Sequence, residues 1–239
     1  QTDPHDVEAW YRTNPSLGTI FTERSVADEI GDDPIDFNIQ RLGLWLRYNL
    51  KSAISRTEWD ELKVDALPKL TGRLYAGIKF STDGTSCALA VACRTKENKI
   101  FVEAIDCRPT RTGSGWLLDF LSKADLAAVA VDGASGQQLL ADAMKAARIK
   151  APVLPTVKQI ITANASFEQA VFAKSLCHAG QPGLTQAASN CEKRAIGSNG
   201  GFGYRSLTEG GHIELLDSVI LAHWQCTEGK AKRRQRTSY

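Results

Sequence analysis

The segment "RLYAGIKFSTDGTSCALAVACR", residues 73–94, decides the fold of this chain. Apolar residues recur within positions 74–80 and predict a strand, and a second apolar run at 87–92 predicts its partner. The residues between them, Thr82-Asp83-Gly84-Thr85, have the polar, glycine-containing composition of a turn. The segment is therefore predicted to form a β-hairpin.

The pattern after the hairpin alternates between strands and helices. The expected elements are a strand at 99–107, a helix at 114–124, a strand at 126–133, a helix at 135–149, a short strand at 151–156, a helix at 167–180 and an amphipathic helix at 212–226. Three antiparallel strands, then parallel additions with flanking helices, give an α/β mixed sheet of the ribonuclease H-like type. The segment "GSNGGFGYRS", residues 197–206, is predicted to be a flexible β-hairpin over the active site.

Three parts of the chain differ in character. Residues 1–70 are predicted to be a helical connector, with short helices at 6–18, 36–50 and 55–62. Residues 71–228 form the predicted α/β domain, and residues 229–239 form a basic tail that is expected to be disordered. Because the chain begins at Gln1 instead of a methionine, we expect that an upstream part is missing.

Composition places the chain among globular proteins. Its 239 residues are 43% hydrophobic, which is enough for a proper core, and the net charge of +2 does not by itself indicate nucleic acid. The basic stretch "KAKRRQR" at 230–236 is equally compatible with a solvated end and with a DNA contact. Six cysteines without a C-x-x-C pair suggest neither a zinc site nor disulfides, and a reduced, cytosolic setting is expected. No apolar run predicts a membrane span or signal peptide.

The first candidate for chemistry is Asp132. It ends a predicted buried strand, where open α/β sheets place their ligands, and Gly133 and Gly136 are expected to keep its surroundings open. The alternative is that Asp132 caps the helix that begins near Ser135.

The last predicted helix offers two further acids, Glu214 and Asp217. At i and i+3 they lie on one face of a helix, so both are candidates to point at the same edge of the sheet. Acids on a hairpin strand, a middle strand and a late helix converge in this layout and predict one or two Mg²⁺ or Mn²⁺ ions, which favour oxygen ligands. The alternative is that both acids complement the dipole of the helix.

Taken together, these motifs resemble the C-terminal part of the large terminase subunit of tailed bacteriophages. "EAWYRTNPSLG" resembles the tail of its ATPase domain, "RLGLWL" and "TEWDEL" resemble its connector, and "AGIKFSTDGTSCALA", "AVAVDGASGQQLL" and "HIELLDSVILAHW" resemble the acidic motifs of its nuclease domain. The phosphate-binding G-K-[ST] loop of the ATPase is absent from this sequence.

The resemblance implies a metal-dependent endonuclease that cuts concatemeric double-stranded DNA during genome packaging. It implies Mg²⁺ or Mn²⁺ as the cofactor. The implied partners are double-stranded DNA, the ATPase domain of the same polypeptide, the small terminase subunit and the portal protein, with no membrane. The implied location is the host cytoplasm and not the mature virion.

Two positions depart from the pattern of the family. The first motif of the family has an aspartate where this chain has Lys79, and a protonated lysine has no lone pair for a metal. Asp83 is the nearest substitute, although a turn aspartate before glycine is often structural. Lys79 is therefore interpreted as a replacement for one metal ion, as a ligand of the scissile phosphate, or as the mark of an inactive site. In the third motif, the family's spacing favours Glu214, while Asp217 lies one turn further along.

Two rival functions stay open. A sugar-kinase or actin-like ATPase begins with a similar hairpin, but it needs a second glycine-rich phosphate loop, for which residues 197–206 are the only candidate. The other rival is a catalytically inactive module that grips DNA. The cations predicted to contact DNA are Lys79, Arg194, Arg205, Lys232, Arg233 and Arg234. Among the histidines considered as metal ligands (His178, His212 and His223), His212 is the best placed.

Overall fold

The computed structural model describes residues 52–197, 200–208 and 210–229. The helices predicted at 6–18 and 36–50 lie outside the described residues, and so does the basic tail beyond Gly229, with Lys232, Arg233 and Arg234. The three-part division of the chain therefore stays a prediction. No helix within the described ranges has both the length and the apolar character of a membrane span.

The described residues form seven strands and six α-helices, with a 3₁₀ turn at Thr110–Thr112. In chain order they are α1 (Arg56–Asp60), β1 (Leu70–Phe80), β2 (Ser86–Thr95), β3 (Ile100–Pro109), α2 (Gly115–Lys123), β4 (Leu126–Asp132), α3 (Gln137–Ala146), α4 (Val157–Phe172), β5 (Leu176–His178), α5 (Pro182–Ser189), β6 (Cys191–Ile196), β7 (Gly201–Ser206) and α6 (Ile213–Glu228).

The five-stranded sheet has the order β4-β1-β2-β3-β5. The predicted hairpin is confirmed, because β1 pairs antiparallel with β2, which pairs antiparallel with β3. At the two edges of this antiparallel unit, β4 adds parallel to β1 and β5 adds parallel to β3. The predicted mixed, ribonuclease H-like α/β sheet is therefore confirmed.

The strand predicted at 151–156 is wrong as a full strand. Val153 makes one isolated parallel bridge to Ala130, with backbone hydrogen bonds to the neighbouring residues of β4. Pro152 and Pro155 flank it and have no N–H to donate, so the pairing cannot extend.

The helix predicted at 167–180 is wrong at both ends. Helix α4 begins at Val157, where the side chains of Thr156 and Gln159 form a capping box, and it ends at Phe172. Lys174 then adopts a left-handed backbone conformation with φ of 52°, which stops the helix. The residues after it, Leu176–His178, form β5.

The core lies on both faces of the sheet. On one face α2 and α3 pack over the apolar side chains of β1 and β4, including Ile78 and Val131. On the other face α6 lies directly on the sheet, and α4 and α5 pack against its outer side. Helix α6 is consequently buried from Glu214 to Cys226 except at Asp217, so the predicted amphipathic pattern is wrong for this helix.

Gly77 in β1 sets the position of α6. A Cβ atom at this residue would lie 2.1 Å from the backbone oxygen of Ser218, so only glycine allows the helix to cross the strand this closely. The crossing brings the first turns of α6 to the carboxyl ends of β1 and β4. Residue 217, which precedes Ser218, is thereby carried to the edge of the sheet where Lys79 and Asp132 lie.

The described end of the predicted connector belongs to this core. Helix α1, within the range predicted to be helical at 55–62, begins with a capping box between Ser55 and Glu58, and it buries Trp59 completely. The ring of His178 stacks on Trp59 at 4.2 Å; it accepts the N–H of Gly180 at Nδ1, and its Nε2 donates to the Trp59 backbone oxygen at 2.9 Å. Burial lowers the pKa of His178 to about 4, so this histidine is a neutral core residue.

Candidate functional site

The register of the sheet brings Lys79 and Asp132 together. The two residues are direct neighbours in the parallel pairing of β1 with β4, at the carboxyl ends of both strands. The ammonium of Lys79 donates a hydrogen bond to Oδ2 of Asp132, and both side chains are mostly buried. This edge of the sheet is the one at which open α/β sheets bind ligands.

The turn after β4 rules out the capping role for Asp132, while its role as a metal ligand stays a prediction. Helix α3 begins at Gln137 with Gly136 as its N-cap and no side-chain cap, so Asp132 does not cap it. The expectation from the sequence that Gly133 and Gly136 keep the surroundings of Asp132 open is wrong. A Cβ atom at either position would lie under 3 Å from Phe80, so these glycines allow the turn to pack on β1.

Asp217 joins the pair from α6. Its Oδ2 lies 3.9 Å from the Nζ of Lys79, so one ammonium faces two carboxylates that come from different elements. Burial raises the pKa of Asp217 to about 6, although Lys79 and Arg194 act in the opposite direction. Asp217 therefore titrates close to neutrality, which is common at functional sites.

A cleft opens over these three side chains. It is lined by Lys79, Asp132, Asn164, Arg194, Gly203 and Asp217, together with the apolar residues Ile160, Ala163, Ile196, Ile220 and Leu221. Strands β6 and β7 form a hairpin beside the cleft. The bounds predicted for this hairpin, 197–206, are wrong, because they contain only the second of its two strands, Gly201–Ser206. Because this segment runs from strand to strand and opens no helix, it is not the phosphate loop that the ATPase alternative needs.

Asn164 is a cleft residue that the sequence did not single out. It is buried in α4, its amide nitrogen donates to the Ile160 backbone oxygen, and its Oδ1 has no hydrogen-bond partner within the described structure. A buried oxygen without a donor is costly unless something binds to it. No sequence signal pointed to Asn164, since it sits inside a helix whose predicted start was ten residues too late.

Glu214 lies away from this cluster. It is buried and accepts a hydrogen bond from Ser86 Oγ, and its Oε1 is 3.1 Å from Nδ1 of His212. Burial would raise the pKa of Glu214, but the hydrogen bonds with His212 and Ser86 hold it below its ordinary value. The structure therefore brings Asp217 to Lys79 and Asp132, while Glu214 faces the ends of β2 and β3.

Asp83 stays in the hairpin turn. Its carboxylate accepts hydrogen bonds from the Ser81 hydroxyl at 2.6 Å and from the backbone and hydroxyl of Thr85. These hydrogen bonds lower its pKa to about 2. Asp83 is not among the residues that line the cleft.

The remaining candidates are two arginines predicted to contact DNA and one histidine considered as a metal ligand. Arg194 lines the cleft and donates to the Tyr204 backbone oxygen at 3.2 Å. Arg205 is exposed and pairs with Glu192 at 2.7 Å. His223 is buried against Phe167, and burial lowers its pKa to about 4. DNA contact by either arginine remains a prediction.

Comparison with known proteins identifies the fold. Neither a protein-family model nor a curated protein matches the sequence. The crystal structure of the HK97 bacteriophage large terminase matches with a TM-score of 0.56 and 18% identity, over 93% of this chain and 55% of that protein. The chain therefore spans about half the length of the HK97 protein. The predicted resemblance to large terminases is confirmed at the level of the fold.

Two isolated nuclease structures match more weakly. The large terminase nuclease domain of Thermus phage P74-26 matches with a TM-score of 0.48 and 15% identity, over 74% of this chain and 96% of that one. The large terminase nuclease of thermophilic phage G20c with bound magnesium matches with the same TM-score and identity, over 73% of this chain and 98% of that one.

Proposed function

We propose that this chain is the nuclease part of a large terminase and that it cuts concatemeric double-stranded DNA during viral genome packaging. The observation that supports this best is the convergence of Asp132 and Asp217 on Lys79, in a cleft at the carboxyl end of the sheet. Carboxylates in such a position are the groups that hold Mg²⁺ or Mn²⁺ in phosphodiester hydrolysis.

The donor set of the cleft fits one hard cation. Asp132 and Asp217 supply carboxylate oxygens, and the buried Asn164 offers an amide oxygen that has no partner among the described residues. Each carboxylate has more acceptor positions than one ammonium uses, so the ion pair with Lys79 leaves capacity for an ion. When bound there, Mg²⁺ or Mn²⁺ would stabilise charge on the phosphodiester and activate water. The proposal is for a single ion, because the ammonium of Lys79 already supplies positive charge beside Asp132 and Asp217.

Lys79, Arg194 and Asp217 each have a separate role in the proposed reaction. Lys79 offsets part of the negative charge of Asp132 and Asp217 in place of a second ion. Arg194, on the β6–β7 hairpin, would bind the backbone of the nucleic acid, and its position in the lining of the same cleft supports this role. Asp217 must be ionised to act as a ligand.

The proposal extends to the partners of this chain. The partners would be double-stranded DNA, an ATPase domain in the same polypeptide, a small terminase subunit and a portal protein. The packaging motor would act in the host cytoplasm and would not remain in the mature virion. The fold match to the HK97 large terminase, of which this chain spans about half, supports these partners by analogy only.

A plasmid assay tests the proposal. The folded chain should nick and linearise supercoiled DNA with little sequence preference in Mg²⁺ or Mn²⁺, and it should do neither in a chelator. Asp132→Asn should remove cleavage while the thermal unfolding stays cooperative. If the folded protein cuts with neither metal, or if the Asp132 variant cuts at the normal rate, the proposed site is wrong.

The ion pair between Lys79 and Asp132 favours a second candidate, a DNA-gripping module without catalysis. An internal ammonium already satisfies a carboxylate that would otherwise need a metal. For this module the logarithm of the DNA association constant would fall linearly with the logarithm of the salt concentration. It would release no cut product with any metal. Binding of this kind without cleavage would decide in its favour.

A further inference from the structure

A second cluster of ligating side chains lies where β3 ends and α6 begins. Cys107, His212 and Glu214 each place a sulfur, nitrogen or oxygen atom within 4.8 Å of the other two. Cys107 Sγ is 3.8 Å from His212 Nδ1, which is 3.1 Å from Glu214 Oε1. None of these atoms belongs to the lining of the Lys79 cleft.

The ligand types separate this cluster from a magnesium site. Thiolate and imidazole are ligands of borderline and soft ions such as Zn²⁺, whereas Mg²⁺ takes oxygen ligands. We infer that Cys107, His212 and Glu214 form a site for a Zn²⁺-class transition-metal ion, apart from the nuclease cleft.

Two of the three distances between ligand atoms are close to those around a tetrahedral ion, and the third, from Cys107 to Glu214, is within 4.8 Å. With Zn–S near 2.3 Å and Zn–N and Zn–O near 2.0–2.1 Å, tetrahedral angles put S···N at about 3.5 Å and N···O at about 3.3 Å. The observed 3.8 Å and 3.1 Å differ from these by a few tenths of an ångström, which side-chain rotation absorbs. Binding would release the thiol proton of Cys107 to solvent. The proton that His212 Nδ1 donates to Glu214 would also be lost from that nitrogen, so that the neutral imidazole coordinates through Nδ1 and carries its proton on Nε2.

The surroundings supply what such a site needs. Ser86 donates its hydroxyl hydrogen to Oε1 of Glu214, which orients the carboxylate as the partners of metal ligands commonly do. A surface pocket lined by Cys107 and His212 gives an ion a path from solvent. Three protein ligands leave one of four tetrahedral positions for an exchangeable water or anion. The cluster lies on the end of β3 and the start of α6, two elements of the core.

Cobalt provides a direct test on the whole chain, kept reduced. Titration with Co²⁺ should produce a thiolate-to-cobalt charge-transfer absorption that saturates at one equivalent and disappears when Zn²⁺ is added. Oxygen ligands give no such band, so Co²⁺ in the Asp132–Asp217 cleft does not contribute. The Co²⁺ titration therefore tests the Cys107 site by itself, and its result does not depend on whether the chain cleaves plasmid DNA.

Variants identify the ligands. Cys107→Ser should abolish the band, whereas Cys93→Ser, at a buried cysteine near Thr71, should keep it. His212→Asn, at a side chain that is 39% exposed, should weaken Co²⁺ binding by at least about tenfold without unfolding the protein. Absence of the band in the folded wild type, or its survival in Cys107→Ser, would overturn the inference.

Discussion

Asp217 and Glu214 lie one turn apart on α6, but their surroundings differ in every respect that matters for chemistry. Asp217 faces an ammonium and a second carboxylate in a cleft that Asn164 also lines, and its pKa is raised to about 6. Glu214 faces a hydroxyl, an imidazole and a thiol, and its pKa is lowered. Both acids are largely buried, so burial alone does not explain the difference.

Hydrogen bonding explains it. Burial alone would raise the pKa of both acids. Hydrogen bonds from His212 and Ser86 stabilise the charged form of Glu214 and bring its pKa below the ordinary value. For Asp217, burial has the largest effect on the pKa, and the nearby cations offset it only in part. One turn of helix therefore separates an oxygen-rich position suited to Mg²⁺ from a mixed sulfur, nitrogen and oxygen position suited to Zn²⁺.

The matched variants Asp217→Asn and Glu214→Gln test this division most strongly. Asp217→Asn should reduce metal-dependent cleavage to background, because it removes a ligand oxygen that carries charge. Glu214→Gln should cost less activity and should instead weaken the thiolate–cobalt band. Plasmid cleavage and Co²⁺ titration of both proteins measure the two effects. The reverse ranking in cleavage would show that the spacing of the family holds and that Glu214 is the nuclease ligand.

Substitution of Lys79 sharpens the first half of the comparison. Lys79→Asp should place a third carboxylate beside Asp132 and Asp217, so Mn²⁺ affinity and cleavage should both rise by about tenfold or more. The metal-free variant should unfold at a lower temperature, because its carboxylates repel one another. Mn²⁺ titration followed by thermal unfolding, together with plasmid cleavage, measures these changes.

Lys79→Arg is the control, since it keeps the positive charge and should keep part of the activity. A fall in cleavage for Lys79→Asp, with retention in Lys79→Arg, would show that the cation serves the phosphate instead of replacing an ion. If neither variant changes binding or cleavage, Lys79 packs along the strand without a role in the reaction.

The fold was predictable where its signals are local. The hairpin of β1 and β2 and the strand that ends at Asp132 follow from apolar patterns and turn residues within a few positions. The position of β5 was not predictable in this way. Leu176–His178 continue an apolar pattern that suits a helix, and only the left-handed Lys174 separates them from α4.

Most residues of the candidate site could be predicted from the sequence, but which of them lie together in the fold could not. The i, i+3 spacing of Glu214 and Asp217 gives them a common helix face, yet their neighbours come from β1, β2, β3 and β4, and no local pattern contains that information. Cys107 and His212 are 105 positions apart, so no metal-binding spacing marks them.

The pH dependence of cleavage follows from the raised pKa of Asp217. A ligand carboxylate must be ionised, so at low Mn²⁺ concentration cleavage should fall by about tenfold for each pH unit below 6. Rates measured from pH 5 to pH 8 on the folded chain check this. A profile that is flat through pH 6 would mean that Asp217 is not needed in its charged form.

The contribution of Asp217 to the free energy of unfolding should fall as pH rises, whereas cleavage should increase. A carboxyl whose folded pKa is raised contributes stability below its unfolded pKa of about 4 and loses it as pH rises through about 6. Metal-free Asp217→Asn should therefore gain stability over the wild type between pH 4 and pH 7, by an amount on the order of 2–3 kcal/mol before the weakened contact with Lys79 is counted. The difference between the two proteins isolates Asp217 from His178 and His223.

The smallest effect is expected at Asp83. Its carboxylate oxygens already accept hydrogen bonds from Ser81 and Thr85, and it lies outside the cleft that holds Lys79, Asp132 and Asp217. Asp83→Asn keeps the shape of the side chain but weakens these charge-assisted hydrogen bonds, so it should lower the thermal unfolding midpoint slightly and leave cleavage within a few-fold of the wild type. Cleavage and thermal unfolding of this variant, measured beside Asp132→Asn, make the comparison. A loss of cleavage as deep as that of the Asp132 variant, without a change in stability, would place Asp83 at the metal and assign Lys79 to the phosphate.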